Sequence, residues 1–266
     1  MSATLVITDL DGSFWGAALR CHPSTLAAVG ELRSAGIPLL VATGRREGST
    51  KRGLAGNGLS LPAVLLNGAL GVDLPTATRF HAHPFAPEAA QQVIESLAEV
   101  GLSPVIYTDD GLVRSAPDVT THADHLGGFG DDHRAVPPST TAGRASILSF
   151  SMLGMERAVL EPAVAALADV AADVLLYEDH LYRAWSIHIQ PPAITKWDGI
   201  RAYLRYADLR PDRIVAIGDA VNDLEMLANA DLSIGVAGGQ AEVLAAVDLV
   251  IPHPDDGGWR SVLDHL

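Results

Sequence analysis

Short, wholly apolar runs that end in polar clusters recur in this chain, and they limit its fold more than any other feature. Leu5 to Thr8, Ile37 to Ala42 and Ala63 to Leu66 each read as a strand with no polar face. A strand that is apolar on both sides must be covered on both sides, as in parallel sheets wrapped by helices. A helical pattern separates the first two runs: Ser24 can cap a helix over Thr25 to Ser34, and Gly36 stops it. The same rhythm returns near the end. Thr195 to Tyr206 reads as a helix, Arg213 to Ile217 as a strand, Asp223 to Ala230 as a helix and Leu232 to Gly235 as extended. Ala241 to Ala246 and Gly258 to His265 read as helices around an extended Asp248 to Ile251. The expected fold class is α/β, a Rossmann-like doubly wound parallel-sheet core.

The middle of the chain follows another pattern. Arg79 to Pro84 looks extended, Pro87 to Val100 is an amphipathic helix closed by Gly101, and Pro104–Thr108 and Leu112–Ser115 flank the turn Asp109-Asp110-Gly111. The order recurs with Arg144 to Leu153 extended and Glu156 to Ala168 helical, with Pro162 expected in its first turns. Val174–Tyr177 and Leu181–Ser186 then flank Glu178-Asp179-His180. VIYTDDGLVRS (105–115) and LLYEDHLYRAW (175–185) match in kind, which predicts a β-α-β-β unit used twice. The expected organisation is a core in two parts, 1–76 and 189–266, with an α+β cap at 77–188 inserted between them. Residues 116–141, rich in His, Asp, Gly and Pro, receive no assignment.

Composition narrows the function. The 266 residues, 48% hydrophobic and 19% charged, describe an ordinary globular chain. No apolar run is long enough to span a bilayer, and no signal-type segment opens the chain, so no membrane partner is expected. One cysteine, Cys21, excludes an intramolecular disulfide framework, and a cytoplasmic setting is expected. A net charge of −14 argues against nucleic acid as a partner. It also requires that any site for an anionic substrate carry its own local positive charge.

In an open α/β sheet, ligands bind beyond the carboxyl ends of the strands. The residues after each predicted strand are therefore the candidates. They are Asp9-Leu10-Asp11-Gly12-Ser13, Thr43-Gly44-Arg45, Asn67-Gly68 and Gly218-Asp219-Ala220-Val221-Asn222-Asp223, with Lys196 opening the helix before the last of these strands. The set suits phosphoryl transfer. Asp9 can attack phosphorus, and Asp11, beyond the turn at Gly12, can act as general acid and base. Asp9 and Asp219 make a hard oxygen site for Mg²⁺. Lys196 supplies positive charge, and Thr43, Asn222 and backbone N–H groups near Gly12 and Gly44 can donate to phosphoryl oxygens. Each piece alone has an ordinary structural explanation as a turn or helix cap; the four together, each beside a predicted strand, do not. There is no Gly-x-x-x-x-Gly-Lys-Ser/Thr loop, which excludes a P-loop NTPase, and no Gly-x-Gly-x-x-Gly after the first strand, which disfavours a dinucleotide fold.

DLDGS (9–13), TGR (43–45), Lys196 and GDAVND (218–223) resemble the four motifs of the haloacid dehalogenase-like hydrolases. LLNG (65–68), the doubled insertion and the tail IPHPDDGGW (251–259) resemble the Cof-type subfamily. The resemblance implies a Mg²⁺-dependent phosphatase for a small phosphorylated metabolite, such as a sugar or cofactor phosphate. It implies an aspartyl-phosphate on Asp9, with Asp11 protonating the leaving group and activating water. Asp9, the Asp11 carbonyl and Asp219 would hold the metal, with Asp223 supporting the metal waters or the lysine. Thr43, Gly44, Lys196 and Asn222 would bind the phosphoryl group. A phosphotransferase or phosphomutase on the same fold, or a catalytically silent binder of a phosphometabolite, are the alternatives. Candidate substrate contacts are Arg45, Asn67, Tyr107, Tyr177 and Trp185; for the two tyrosines, hairpin-core packing is the first reading and substrate contact the second. Ser13 and Ala220 depart from the usual threonine and glycine. Phe14-Trp15, bulkier than the usual aliphatic pair, either narrows the entry or packs under the cap. His81, His83, His122, His125 and His133 lack a metal spacing and read as surface or capping residues.

Overall fold

The run from Leu5 to Thr8 becomes an inner strand of a sheet, buried at every position after the first. The computed structural model describes residues 4–141, 143, 145–179 and 182–266. It divides into two compact units, Met1–Arg45, Thr50–His81 and Thr195–Leu266 forming one, Arg46–Ser49 and Ala82–Ile194 the other. The changeovers fall a few residues later than the expected 76/77 and 188/189.

In chain order the first stretch carries β1 (Thr4–Thr8), α1 (Pro23–Ser34), β2 (Leu39–Ala42), α2 (Glu47–Gly56), β3 (Pro62–Leu65), β4 (Leu70–Asp73) and β5 (Thr78–Ala82). The second carries α3 (Pro87–Glu99), β6 (Val105–Thr108), β7 (Val113–Ser115), α4 (Ala123–Gly127), β8 (His133–Ala135), α5 (Pro138–Thr141), β9 (Ile147–Met155), α6 (Arg157–Ala166), β10 (Asp173–Asp179) and β11 (Ala184–Gln190). The last carries α7 (Lys196–Tyr206), β12 (Arg213–Gly218), α8 (Leu224–Ala228), β13 (Leu232–Val236), α9 (Ala241–Leu244) and β14 (Leu249–Ile251), then a 3₁₀ helix over Gly258–His265.

Among the described residues the first unit's sheet has eight strands in the order β14-β13-β12-β1-β2-β3-β4-β5. The strands from β14 to β3 are parallel, with Val6 opposite Val215 and Ile7 opposite Leu40, and β4 runs antiparallel to β3. The doubly wound α/β class is therefore present, with the order turning about β1, whose neighbours are β2 on one side and β12, the first strand of the last stretch, on the other. Leu5, Ile7, Leu40, Ala42, Val64 and Ala216 form one side of the core with Ile200 and Met226 from the covering helices.

The second unit's sheet runs β10-β11-β9-β6-β7-β8, antiparallel except for β7 with β8. Helices α3 and α6 cover one face through Val93, Leu97, Ile106, Phe150, Leu160 and Ile187. Alternation along the strands puts Tyr107, Ser149, Ser151, Ser186 and His188 on the other face.

Four local expectations change. The first pass of the doubled unit is α-β-β, because its leading strand, β5, is the edge of the other sheet. Phe80 draws it there by stacking on Tyr206 at 5.2 Å and packing on Tyr203 at 5.5 Å. Helix α1 is capped by His22, whose Nδ1 accepts from Ser24 N, and not by Ser24, since Pro23 has the fixed φ suited to the first helical position. Pro162 lies inside α6 rather than in its opening turn. The stretch expected as one helix from Asp223 to Ala230 is a 3₁₀ turn over Val221–Asp223 followed by the short α8. Residues 116–141, left unassigned above, hold α4, a 3₁₀ turn, β8 and α5. His180 and Leu181 of the second hairpin, and Arg144 at the expected start of β9, lie outside the described residues.

Candidate active site

The site assembles where β1 and β12 end side by side. Asp9 follows β1 directly, and its N–H still donates to Ile217 O at 2.9 Å, so the parallel ladder fixes its backbone. Thr8 Oγ donates to the Asp9 carbonyl at 2.7 Å and accepts from the indole N–H of Trp259 at 3.1 Å. Trp259 is fully buried and packs edge-on against Phe14 at 5.1 Å. A residue from the far end of the chain thus braces the end of the first strand.

Lys196 is the first residue of α7, whose start is held by a capping box between Thr195 and Asp198. Its ammonium, 1% exposed, donates to Asp9 Oδ1 at 2.7 Å and to Asp223 Oδ1 at 2.6 Å. The second oxygen of Asp223 accepts from the backbone N–H groups of Asp219 and Ala220 at 3.0 and 3.1 Å. This pins the loop after β12. Gly218 has to be a glycine here, because a Cβ would press on the Asp223 carboxylate. Asp219 itself accepts from Ser13 Oγ at 2.7 Å, so the serine in DLDGS keeps the hydroxyl's work.

Asp9, Asp219 and Asp223 each offer a carboxylate oxygen within 4.8 Å of the others. Burial pushes Asp9 well above the usual carboxylate range; Lys196 opposes this, while Asp223, Asp219 and Asp11 add to it. Burial first, then Asp223, raises Asp219 to about 6, against the Ser13 hydrogen bond and Lys196. Burial acts to lower the Lys196 pKa, but Asp223 and Asp9 outweigh it and keep the lysine protonated. Three carboxylates against one ammonium leave surplus negative charge in a buried place. The donors are all hard oxygens, so these residues fit a divalent cation.

Thr43, 1% exposed, continues β2 by donating its N–H to Val64 O at 2.9 Å. Its hydroxyl accepts from Arg45 N at 3.2 Å, which leaves the hydroxyl proton to donate. Asn67 stands at φ 53 in the turn after β3, and its side-chain oxygen accepts from Asn222 Nδ2 at 2.9 Å. A Cβ on Gly44 would lie 3.0 Å from that oxygen, so the small residue leaves room for the pair. Gly68 follows at φ 109 against the Thr195 carbonyl, where no side chain fits. Turns after β2, β3 and β12 thus interlock around Lys196.

Asp11 takes its hydrogen bonds from residues outside this lysine-centred network. Its carboxylate accepts two hydrogen bonds from Arg45, Nε to Oδ2 at 2.5 Å and Nη2 to Oδ1 at 2.7 Å, and a third from Trp15 Nε1 at 3.1 Å. Trp15, fully buried, packs against Gly53 within its own unit. Neither contact was legible in the sequence; an Arg and a Trp near a catalytic aspartate carry no spacing signal.

The remaining candidates lie in the second unit. Tyr107 is 5% exposed, and its hydroxyl pairs with Ser151 at 2.9 Å and His125 Nε2 at 3.0 Å. Burial pushes the Tyr177 hydroxyl up from its ordinary value. Trp185 packs against the apolar cluster under α3 and α6, with the Arg157 guanidinium 4.5 Å from its ring centre. His122 caps α4 by accepting from Asp124 N, His125 also reaches Tyr182 at 3.1 Å, and His133 pairs with Ser115 at 2.8 Å.

A family model described as haloacid dehalogenase-like hydrolase matches residues 6–263. The pyridoxal phosphate phosphatase YbhA of Escherichia coli (strain K12) is 25% identical over 286 residues that cover 100% of both chains. Among solved structures, TM0651 from Thermotoga maritima superposes with a TM-score of 0.81 at 21% identity, covering 100% of this chain and 98% of that one. The phosphatase BT1666 from Bacteroides thetaiotaomicron gives 0.79 at 17%, covering 99% and 95%. The two structures are alike in fold.

Proposed function

We propose a mechanism for a chain that belongs to the haloacid dehalogenase-like hydrolases. The protein is a phosphoric monoester hydrolase. The observation that carries the mechanism is the Lys196 ammonium shared between Asp9 and Asp223, with Asp219 completing a trio of carboxylates. Lys196 takes Asp9 Oδ1, and we assign the attack to Oδ2, which accepts no hydrogen bond among the described residues.

Asp9 forms a bond to phosphorus as the ester oxygen leaves, and Asp11 delivers the proton that makes the leaving group an alcohol. Asp11, now a carboxylate, takes a proton from water as that water displaces Asp9, and free phosphate departs. Lys196, the Thr43 hydroxyl, the Asn222 amide and backbone N–H groups at Gly44 stabilise the charge on the transferring group. Asp9, the Asp11 carbonyl and Asp219 would hold Mg²⁺, with Asp223 joining them or orienting its waters. That ion would supply charge neutralisation for the phosphoryl oxygens.

The substrate is a small phosphorylated metabolite in the cytoplasm. Asn67, Tyr107, Tyr177 and Trp185 are the residues to vary for its recognition; of these, Trp185 has its ring already committed to packing. YbhA, similar over its whole length, is named a pyridoxal phosphate phosphatase, so pyridoxal phosphate heads the screen. Sugar phosphates and mononucleotides follow. With Mg²⁺ the protein should release inorganic phosphate from at least one of these esters, and Asp9→Asn should abolish release. Undiminished turnover by D9N would overturn the mechanism. Transfer to an added alcohol or sugar without free phosphate would assign a phosphotransferase instead.

A further inference from the structure

The general acid and base of the proposed reaction sits on a loop, and its side chain is 48% exposed. A carboxylate so placed would ordinarily sample several rotamers. Here three donors meet it. Arg45 presents the parallel two-point fork that matches a carboxylate, and the Trp15 indole adds a third bond from four residues along the chain. The guanidinium carbon lies 5.7 Å from the centre of the Trp15 ring, so arginine and tryptophan also hold each other.

The indole is itself immobile. Trp15 N–H donates to Leu10 O at 3.0 Å, and its carbonyl accepts from Gly12 N at 2.9 Å, which closes the loop on both sides of Asp11. A Cβ on Gly53 would come within 2.9 Å of the ring, so the glycine is what lets the tryptophan lie there. An isolated exposed ion pair is worth little. A bidentate pair seated on a buried indole is a built feature.

We infer that Arg45 and Trp15 are positioning residues that aim the Asp11 carboxyl for proton transfer, and that Arg45 acts through Asp11 rather than on the substrate. The inference rests on the phosphatase reading above. It separates two roles that differ in what they need. Proton delivery matters for an alkyl phosphate, whose alkoxide is a poor leaving group, and matters little for p-nitrophenyl phosphate, whose phenolate leaves unaided. A substrate contact would matter for both.

The test compares kcat/KM for an alkyl phosphate and p-nitrophenyl phosphate in wild type, Arg45→Met and Arg45→Lys. Proton transfer by a placed side chain is typically worth 10²–10⁴-fold, so R45M should cost on the order of tenfold or more on the alkyl ester and several-fold less on the aryl ester. R45K should recover part of the difference, and R45M should cost nothing further in an Asp11→Asn background. Trp15→Phe should shift the same ratio, and the Arg45 variants keep the test intact should W15F fold poorly. Equal losses on both esters, or full additivity with D11N, overturn the inference. A second readout needs no turnover: the Trp15 indole N–H resonance of the metal-free protein, assigned with W15F, should move upfield in D11N. An unmoved resonance overturns the inference whatever the kinetics. A wild type that hydrolyses neither ester while the resonance still moves overturns the phosphatase reading and leaves the contact to Asp11 standing.

Discussion

Lys196 shows how one residue joins fold to chemistry. A lysine 1% exposed would normally lose its proton, yet two carboxylates at 2.6 and 2.7 Å keep this one charged. Removing one partner of a buried ion pair typically costs about 3–5 kcal/mol, because the other charges stay buried without compensation. Lys196→Met should lose stability of that order in denaturant titrations of metal-free protein. Asp223→Asn in the same background should cost much less than it does alone, since the charge it removes is one the lysine no longer neutralises. Additive losses would separate the two residues. The motif was visible in the sequence as a lone Lys before a strand; its double pairing was not, because nothing in the spacing between 196 and 223 says which Asp oxygens converge.

At the scale of elements, the site depends on how α7 begins. The capping box at Thr195 and Asp198 satisfies the first N–H groups of the helix, and Gly68 passes beneath the Thr195 carbonyl at φ 109. Thr195→Ala should cost about 1 kcal/mol, the usual price of a lost cap. Gly68→Ala should cost more, roughly 1–3 kcal/mol of backbone strain plus the collision with the carbonyl, and should lower kcat by displacing Lys196. Urea midpoints and phosphate release check both; a G68A protein as stable as wild type would mean the turn yields. The strands and helices of this unit were readable from apolar runs and caps, as β1, β2, β12 and β13 show. The allegiance of β5 was not. Arg79 to Pro84 has the composition of an exposed strand, and its sheet was chosen by Phe80 finding Tyr203 and Tyr206 on α7, a contact more than a hundred residues away in the chain.

Across the whole molecule, pH should act on the two units with opposite signs. In the first unit Asp219 rises from 3.8 to about 6 on folding. The native state then binds more protons than the unfolded state between those values, and metal-free stability falls as pH climbs through that window. In the second unit burial lowers His125 and His188 from 6.5 to about 4. Their contribution is complete above about 6.5 and is lost as pH falls toward 4. Hydrogen exchange of the metal-free protein, corrected for intrinsic rates, should show first-unit amides opening more easily at pH 7 than at 5, and second-unit amides the reverse. Asp219→Asn should flatten the first trend alone. A common direction in both units would refute the assignment of these groups.

The sequence alone determined the α/β class and marked the strand ends after β1, β2, β3 and β12 as the places to look for a site. It could do so because a parallel strand must be apolar on both faces, and because the chain must turn, at glycines and aspartates, where each strand stops. Only the tertiary structure decided which side chains meet: Trp259 bracing Thr8, Ser13 holding Asp219, Asn67 taking Asn222, and Arg45 with Trp15 holding Asp11. These partners come from separate turns or from opposite ends of the chain. Hydrogen bonds and ion pairs are decided within about an ångström, and that precision comes from packing the elements together, which residue spacing along the chain does not encode.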